Sequence, residues 1–138
     1  MDKEEARIAK ALGTGEVPEV DEENLLKYRR YLLTHLDKST VLTGREDFPW
    51  EERYVFGHGS KAEYERLKKT NPSYKDEYQL LDILAEEIEE NDLVASIKRL
   101  SDRKTFTIGL SWLTTKDEKS KDFQLLDDFA TWVANWCQ

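Results

Sequence analysis

Cysteine is nearly absent from this chain, because Cys137 is the single cysteine among its 138 residues. A single thiol cannot form an internal disulfide, which is typical of proteins from a reducing cytoplasm. Residues 1–5 also lack the basic and apolar regions of a signal peptide, so we expect a cytoplasmic protein. With only two histidines, His35 and His58, the sequence offers too few soft ligands for a zinc site.

Long apolar runs and an excess of basic charge are missing as well. No apolar run approaches the ~20 residues of a membrane span, and the mean hydropathy is −0.76. The chain holds 29 acidic and 21 basic residues, for a net charge of −8. This balance argues against general nucleic-acid binding, which needs a basic surface. It fits a protein that binds a cation, one that binds a basic protein, or simply one with a soluble surface.

The sequence also lacks the motifs of common catalytic sites. There is no Gly-x-Ser-x-Gly motif, and Cys137 lies too near the end for rigid positioning as a nucleophile. The Gly-His-Gly at 57–59 has neither the lysine nor the strand-to-helix context of a phosphate-binding loop. We therefore expect no enzymatic activity.

Capping signals and apolar spacing predict three helices. Asp2 opens a short helix over 2–12, and Asp21 opens a longer one that ends near residue 36. Ser60 opens a third helix, which must end before Pro72. Gly and Pro between the first two helices predict a linker. The expected organisation is an N-terminal extension and linker at 1–20, followed by a single domain at 21–138.

The remaining segments are rich in β-forming residues. They predict strands at 40–44, 53–56 and 78–85, and a hairpin over 93–113 that turns at Ser101-Asp102-Arg103. In the strand at 78–85, alternation places Tyr78, Leu80 and Leu84 on one face.

The end of the chain fits two patterns. Phe123, Leu126, Ala130 and Val133 have helical spacing, whereas residues 129–136 also alternate as a strand does. We expect a helical turn at 121–127 followed by a strand. The predicted fold class is therefore α+β, with an antiparallel sheet of four to five strands. The N-terminal helix and a short helix pack on it, and partial closure into a small SH3-like barrel would protect its edges.

The most unusual segment is 46–52, which reads Glu-Asp-Phe-Pro-Trp-Glu-Glu. Phe48 and Trp50 can anchor a loop that Pro49 stiffens. Carboxylates held apart on a stiff loop suit a hard cation such as Ca²⁺, which takes six to eight oxygen ligands. The alternative is a solvated turn whose acids keep the protein in solution. The first candidate ligands are Asp47, Glu51 and Glu52, and Glu46 is a weaker candidate.

Three further carboxylates are candidates because no loop has the EF-hand pattern, so ligands must converge from separate segments. Asp127 and Asp128 form one pair, and their alternative role is an N-cap or turn of the final element. Asp82 interrupts an apolar strand, either as an inward ligand or as a solvent-facing residue at a sheet edge. The acid-rich stretch 86–92 is expected to bind cations loosely and non-specifically.

Several segments resemble, in the same order, the cyanobacterial-type calcium-binding protein family. They are Thr43–Glu52, Glu63-Tyr64, Pro72-Ser73-Tyr74, Leu93–Thr107 with its Arg99–Asp102 turn, Gln124–Asp128 and Trp132–Trp136. The resemblance covers roughly residues 22–137, and Leu36–Val41 departs from it by being more polar. It implies a small acidic protein that binds Ca²⁺ through carboxylates without an EF-hand, and that buffers or senses intracellular calcium.

Two hypotheses for function follow. The first is that residues 21–138 form a cytoplasmic Ca²⁺-binding domain with Ca²⁺ as its cofactor. Replacing Glu51 and Glu52 by Gln should then weaken Ca²⁺ binding and leave the fold intact. The second is a small acidic interaction module without metal, which presents aromatic and acidic residues to a basic protein partner. Exposure of Trp50 and Trp132 would favour the second hypothesis.

Overall fold

The computed structural model describes residues 1–89 and 91–137, except the side chains of Glu87 and Glu89. Five α-helices lie in this part of the chain: α1 (Lys3–Leu12), α2 (Glu22–His35), α3 (Glu52–Val55), α4 (Lys61–Leu67) and α5 (Lys121–Asn135). The strands are β1 (Val41–Gly44), β2 (Tyr78–Glu89), β3 (Asp92–Arg99), β4 (Thr105–Gly109) and β5 (Leu113–Thr115). None of the described helices is long and apolar enough to cross a membrane.

The predicted helix starts are confirmed at all three caps. The side chains of Asp2 and Asp21 each accept a backbone N–H three residues ahead, from Glu5 and Asn24, at 2.8 Å. The Ser60 hydroxyl accepts the N–H of Glu63 at 3.2 Å. Each bond satisfies a donor that a helix leaves free at its N-terminus, so a local sequence signal suffices to place the start.

The sheet has five strands in the order β4-β3-β2-β1-β5, and every neighbouring pair is antiparallel. The α+β class and the number of strands are therefore confirmed, as is the turn at Ser101-Asp102-Arg103. The second arm of the hairpin, expected to reach residue 113, ends at Gly109. The barrel option is wrong, because β4 and β5 stay at opposite edges of an open sheet in the described chain. Only a 3-10 turn, Leu110–Trp112, separates β4 from β5 along the sequence.

An irregularity in β2 changes which residues point inward. Leu80 pairs with Ile97 but Asp82 pairs with Ser96, so β2 has one extra residue, Leu81, at this point. Tyr78 and Leu80, predicted to share a face, are both buried. Beyond them Leu81 is exposed, Ile83 is buried and Leu84 is half-buried. The alternation predicted for the whole strand therefore holds only up to the bulge.

Two segments expected to be strands are helical. Residues 53–56 fall largely in α3, where helical spacing brings the rings of Trp50 and Tyr54 to 6.1 Å. Residues 121–135 form the single helix α5, so helix is confirmed at 121–127 and the strand expected after it is wrong. In α5, Phe129 and Trp132 lie on one face and both contact the ring of Tyr28, at 5.1 and 5.2 Å. A strand would have placed these two side chains on opposite faces.

Residues 1–20, expected to be an extension and linker, pack against the rest of the chain. Ile8 and Leu12 of α1 and Val20 are buried in the same core as α2 and α5. The indole N–H of Trp132 donates to the carbonyl of Pro18 at 2.8 Å. These contacts place α1 beside α5, so that acidic residues of the two helices can approach one another.

Candidate metal centre and the acidic loop

The loop at 46–52 is anchored by its aromatic residues. Phe48 is buried in the core, and Pro49 is the first residue of a 3-10 turn, Pro49–Glu51, that runs directly into α3. The indole N–H of Trp50 donates to the carbonyl of Pro72 at 2.6 Å. The fixed loop expected from Phe-Pro-Trp is thus present, and it is tied to the segment before β2.

Glu51 is buried, although the acidic residues around it in the sequence suggest an exposed side chain. Its side chain is fully buried, and one carboxylate oxygen accepts the backbone N–H of Tyr74 at 2.8 Å. The other oxygen accepts the hydroxyls of Tyr64 and Ser73 at 2.6 and 2.7 Å. Both oxygens are therefore occupied by protein donors, and the structure gives no support to ligation of Ca²⁺ by Glu51.

The remaining acids of the loop are more exposed than Glu51. Asp47 is half-buried, while Glu46 and Glu52 are exposed. Within the described residues, no group of three or more metal-ligating side chains includes Asp47, Glu51 or Glu52. The acidic loop therefore does not by itself supply a metal-ligand group in the described chain.

Asp82 lies at the bulge of β2 with a largely exposed side chain. Its Oδ1 accepts the N–H of Ile83 at 2.8 Å and lies 3.9 Å from a guanidinium nitrogen of Arg29. Its surroundings match the solvent-facing alternative rather than the inward ligand. The acid-rich stretch 86–92 falls partly outside the described residues; of its members, Asp92 accepts the hydroxyl of Ser111 at 2.6 Å.

Asp127 and Asp128 lie inside α5, well past its N-cap, which is Ser120. The alternative role as an N-cap or turn is therefore wrong. Arg45, from the start of the acidic loop, donates to Asp127 at 2.9 Å. Arg7 of α1 holds buried Asp128 through two nitrogens, at 2.8 and 3.0 Å.

A third carboxylate, Glu4, lies close to this pair, and it was not among the ligands predicted from the sequence. Ligand oxygens of Glu4, Asp127 and Asp128 all lie within 4.8 Å of one another. Burial, together with the negative charges of Asp128 and Asp127, raises the pKa of Glu4 above its usual value. The only sequence signal was the position of Glu4 in the first turn of a helix, which is common for reasons unrelated to metal.

The turn between β3 and β4 is organised by Arg99, whose guanidinium is almost completely buried. It donates to the carboxylates of Asp102 and Asp76 and to the backbone carbonyls of Lys68, Lys69 and Asn71. The hydrogen bond from Arg99 lowers the pKa of Asp102 to about 2. The Arg99–Asp102 turn, which is one of the segments of the family resemblance, thus connects the hairpin to the residues that follow α4.

No protein-family model, curated protein or solved structure matches this chain. The likeness to the cyanobacterial-type calcium-binding family consequently remains a prediction from the segments quoted above.

Proposed function

We propose that the protein binds Ca²⁺ through non-EF-hand carboxylates, with Glu4, Asp127 and Asp128 as the ligand group. The observation that carries the proposal is the convergence of three carboxylates from two helices to within 4.8 Å. Because Ca–O distances are about 2.3 to 2.6 Å, two oxygens bound to one ion lie at most about 5 Å apart. The family resemblance points independently to the same ion.

The electrostatics of the group support a cation. The pKa of Glu4 is raised by burial and by the charges of Asp128 and Asp127, so these carboxylates repel one another when all are ionised. A divalent cation between them would remove that repulsion and favour the ionised form of Glu4.

Two arginines set the expected strength of binding. Arg7 neutralises Asp128 and Arg45 neutralises Asp127, so a cation must compete with both guanidinium groups. We expect a dissociation constant of about 10⁻⁴ to 10⁻³ M, the range of weak Ca²⁺ modules. A site of this strength fills only at calcium concentrations of about 10⁻⁴ to 10⁻³ M, which is above the range in which cytosolic buffers and sensors bind.

Calorimetric titration of chelator-treated protein with Ca²⁺ tests the proposal. We expect saturable heat, which Glu4→Gln combined with Asp127→Asn reduces or removes. Asp128 is left unchanged, because its buried pairing with Arg7 makes it part of the fold.

The matched control removes two carboxylates from the exposed start of α2, with Glu22→Gln and Glu23→Gln. This variant has the same change of net charge and should bind Ca²⁺ as the unaltered protein does. Absence of heat up to millimolar Ca²⁺, or equal loss in both variants, would refute the proposal.

A second function, an acidic protein-interaction module, has one observation in its favour. Phe56 is 65% exposed and its neighbour Val55 is 41% exposed, which is unusual for large apolar side chains. For this function, the sequence predicts that Trp50 and Trp132 are exposed. Trp132 is instead buried and Trp50 is half-buried. The surface would therefore centre on Phe56 and the exposed acid Glu52.

This second function is tested by capture of a basic partner protein with and without chelator. Binding that persists in chelator and is lost in Phe56→Ser would support it. Binding that requires Ca²⁺, or that survives Phe56→Ser, would argue against it.

A further inference from the structure

A cavity of about 410 Å³ lies between the turn that follows α3, the helix α4 and the segment before β2. Three tyrosines and three lysines contribute to its lining: Tyr54, Tyr64, Tyr74, Lys61, Lys68 and Lys75. We call it the tyrosine–lysine cavity. Its volume lies within the roughly 300 to 1,000 Å³ that is usual for small-molecule sites. It is separate from the carboxylate group of Glu4, Asp127 and Asp128.

Two of the three tyrosine rings of the cavity are held in place by hydrogen bonds to buried or half-buried carboxylates. The rings of Tyr54 and Tyr64 are stacked, with their centroids 5.2 Å apart and their planes 13° apart. The hydroxyl of Tyr64 donates to Glu51 at 2.6 Å, and that of Tyr54 donates to Glu63. Because both hydroxyls already have partners, these residues offer ring surface rather than hydrogen bonds to a ligand. That surface is already ordered, which lowers the entropy lost on binding.

Two of the three lysines of the cavity lie close to its tyrosine rings. The ammonium of Lys68 lies 4.8 Å from the centroid of the Tyr64 ring, and that of Lys75 lies 5.7 Å from the Tyr74 ring. The one acid in the lining, Glu65, pairs with Lys68 at 3.1 Å. Among the residues that the structure describes, Lys61 and Lys75 have no carboxylate partner.

The local charge of this region is opposite to that of the whole protein. Residues 53–75 include six basic and two acidic residues, a local charge of +4, in a chain with a net charge of −8. A positive site in a negative protein attracts anions only at short range, since the surrounding field repels them. The site therefore favours a ligand whose ring also contacts the tyrosines, rather than a free inorganic anion.

We propose that the tyrosine–lysine cavity binds a small anion attached to a flat ring, such as a nucleoside phosphate or an aromatic carboxylate. The flat ring packs against the tyrosine rings. The anionic group lies near the ammonium groups of Lys61 and Lys75, which have no carboxylate partner in the described chain. This chemistry follows from the aromatic and cationic lining and does not involve the metal proposed above.

The test is a titration followed by amide NMR shifts, in buffer with chelator so that Ca²⁺ plays no part. The probes are adenosine monophosphate, adenosine, ribose 5-phosphate and benzoate. We expect saturable shifts confined mainly to residues 54–75, with adenosine monophosphate or benzoate binding more tightly than either isolated part of the nucleotide. Tighter binding of adenosine monophosphate favours a nucleoside phosphate as the ligand, and tighter binding of benzoate favours an aromatic carboxylate. Equal binding of ribose 5-phosphate and adenosine monophosphate would overturn the role of the rings.

Variants of the lysines separate a defined site from general electrostatic attraction. Lys61→Gln with Lys75→Gln should raise the dissociation constant of the tightest probe about fivefold, because two exposed charge contacts are lost. The control, Lys38→Gln with Lys119→Gln, makes the same charge change at exposed positions outside the cavity and should alter it less than about twofold. Equal effects of the two variants, or no shifts at about 10 mM of every probe, would refute the proposal.

Discussion

The buried carboxylate of Glu51 accepts the backbone N–H of Tyr74 at 2.8 Å. This bond joins the acidic loop to the segment that leads into β2, and the hydroxyls of Ser73 and Tyr64 complete the set of donors. Three of the segments behind the family resemblance therefore meet at one side chain. Their common role in this structure is to fix the loop, whatever the protein binds.

Glu51→Gln is expected to destabilise the protein. An amide keeps the size of the side chain but replaces an accepting oxygen with a donor, which leaves a buried partner unsatisfied. We expect a loss of about 2 to 3 kcal/mol in the free energy of unfolding, measured by urea denaturation. The exposed neighbour provides the control, because Glu52→Gln should change stability by less than about 0.5 kcal/mol. A Glu51→Gln protein as stable as the control would contradict this account, and would restore the expectation drawn from sequence that the fold stays intact.

Gly44→Ala should also destabilise the protein, for a steric reason. A Cβ at Gly44 would lie less than 3.0 Å from the Cβ, Cα and carbonyl oxygen of Tyr74, and backbone atoms cannot move aside cheaply. We expect a loss of about 2 to 3 kcal/mol, again measured by urea denaturation. Gly15→Ala is the control, since nothing lies within 4 Å of its new Cβ. Equal stabilities of the two variants would show that β1 and Tyr74 are not in close contact.

The ion pair between Asp102 and Arg99 should make stability fall in acid. The hydrogen bond from Arg99 lowers the pKa of Asp102 to about 2, below that of an aspartate in the unfolded chain. A lowered carboxyl pKa contributes stability that is present above the unfolded pKa of about 3.9 and is lost as the pH falls towards 2. Asp102→Asn should therefore flatten the decline of unfolding free energy between pH 4 and 2. Glu118→Gln, an exposed change, should leave the decline as it is, and an unaltered slope in Asp102→Asn would argue against the pairing.

Binding of Ca²⁺, if it occurs at Glu4, Asp127 and Asp128, should weaken in acid. The ion needs ionised Glu4, whose pKa is raised by burial and by the neighbouring acids. Lowering the pH through that raised pKa protonates Glu4 and reduces the affinity, whereas at higher pH the affinity levels off. Calorimetric titrations across this range should show the loss, and Glu4→Gln should show weaker binding with less pH dependence. An affinity that did not change with pH would exclude Glu4 as a ligand.

Helix starts and the hairpin were predictable because their signals are local. Asp2, Asp21 and Ser60 each bond to a backbone N–H three residues ahead, so the sequence alone places these caps. The turn at 101–103 likewise lies between two strands that are adjacent in sequence. Net charge and the lack of a membrane-spanning run also follow directly from composition.

Segments that fit two patterns needed the tertiary structure. Residues 129–136 alternate and also have helical spacing, and only their packing decides between the two. Phe129 and Trp132 both pack on Tyr28 of α2, and a helix puts them on the same face. In β2, the bulge at Leu81 reverses the inward face, and an alternation rule has no means of anticipating an extra residue.

Composition and local patterns were enough to predict an acidic chain, helices that start at the three caps, and a stiff loop at 46–52. The roles of the carboxylates depend instead on how distant parts of the chain pack together. Glu51 is a buried residue that holds the loop in place. Glu4 lies close to Asp127 and Asp128, although more than 120 positions separate them in the sequence. Helix caps depend on neighbours a few residues distant, whereas carboxylate pairing depends on how α1 packs against α5, which no local pattern encodes.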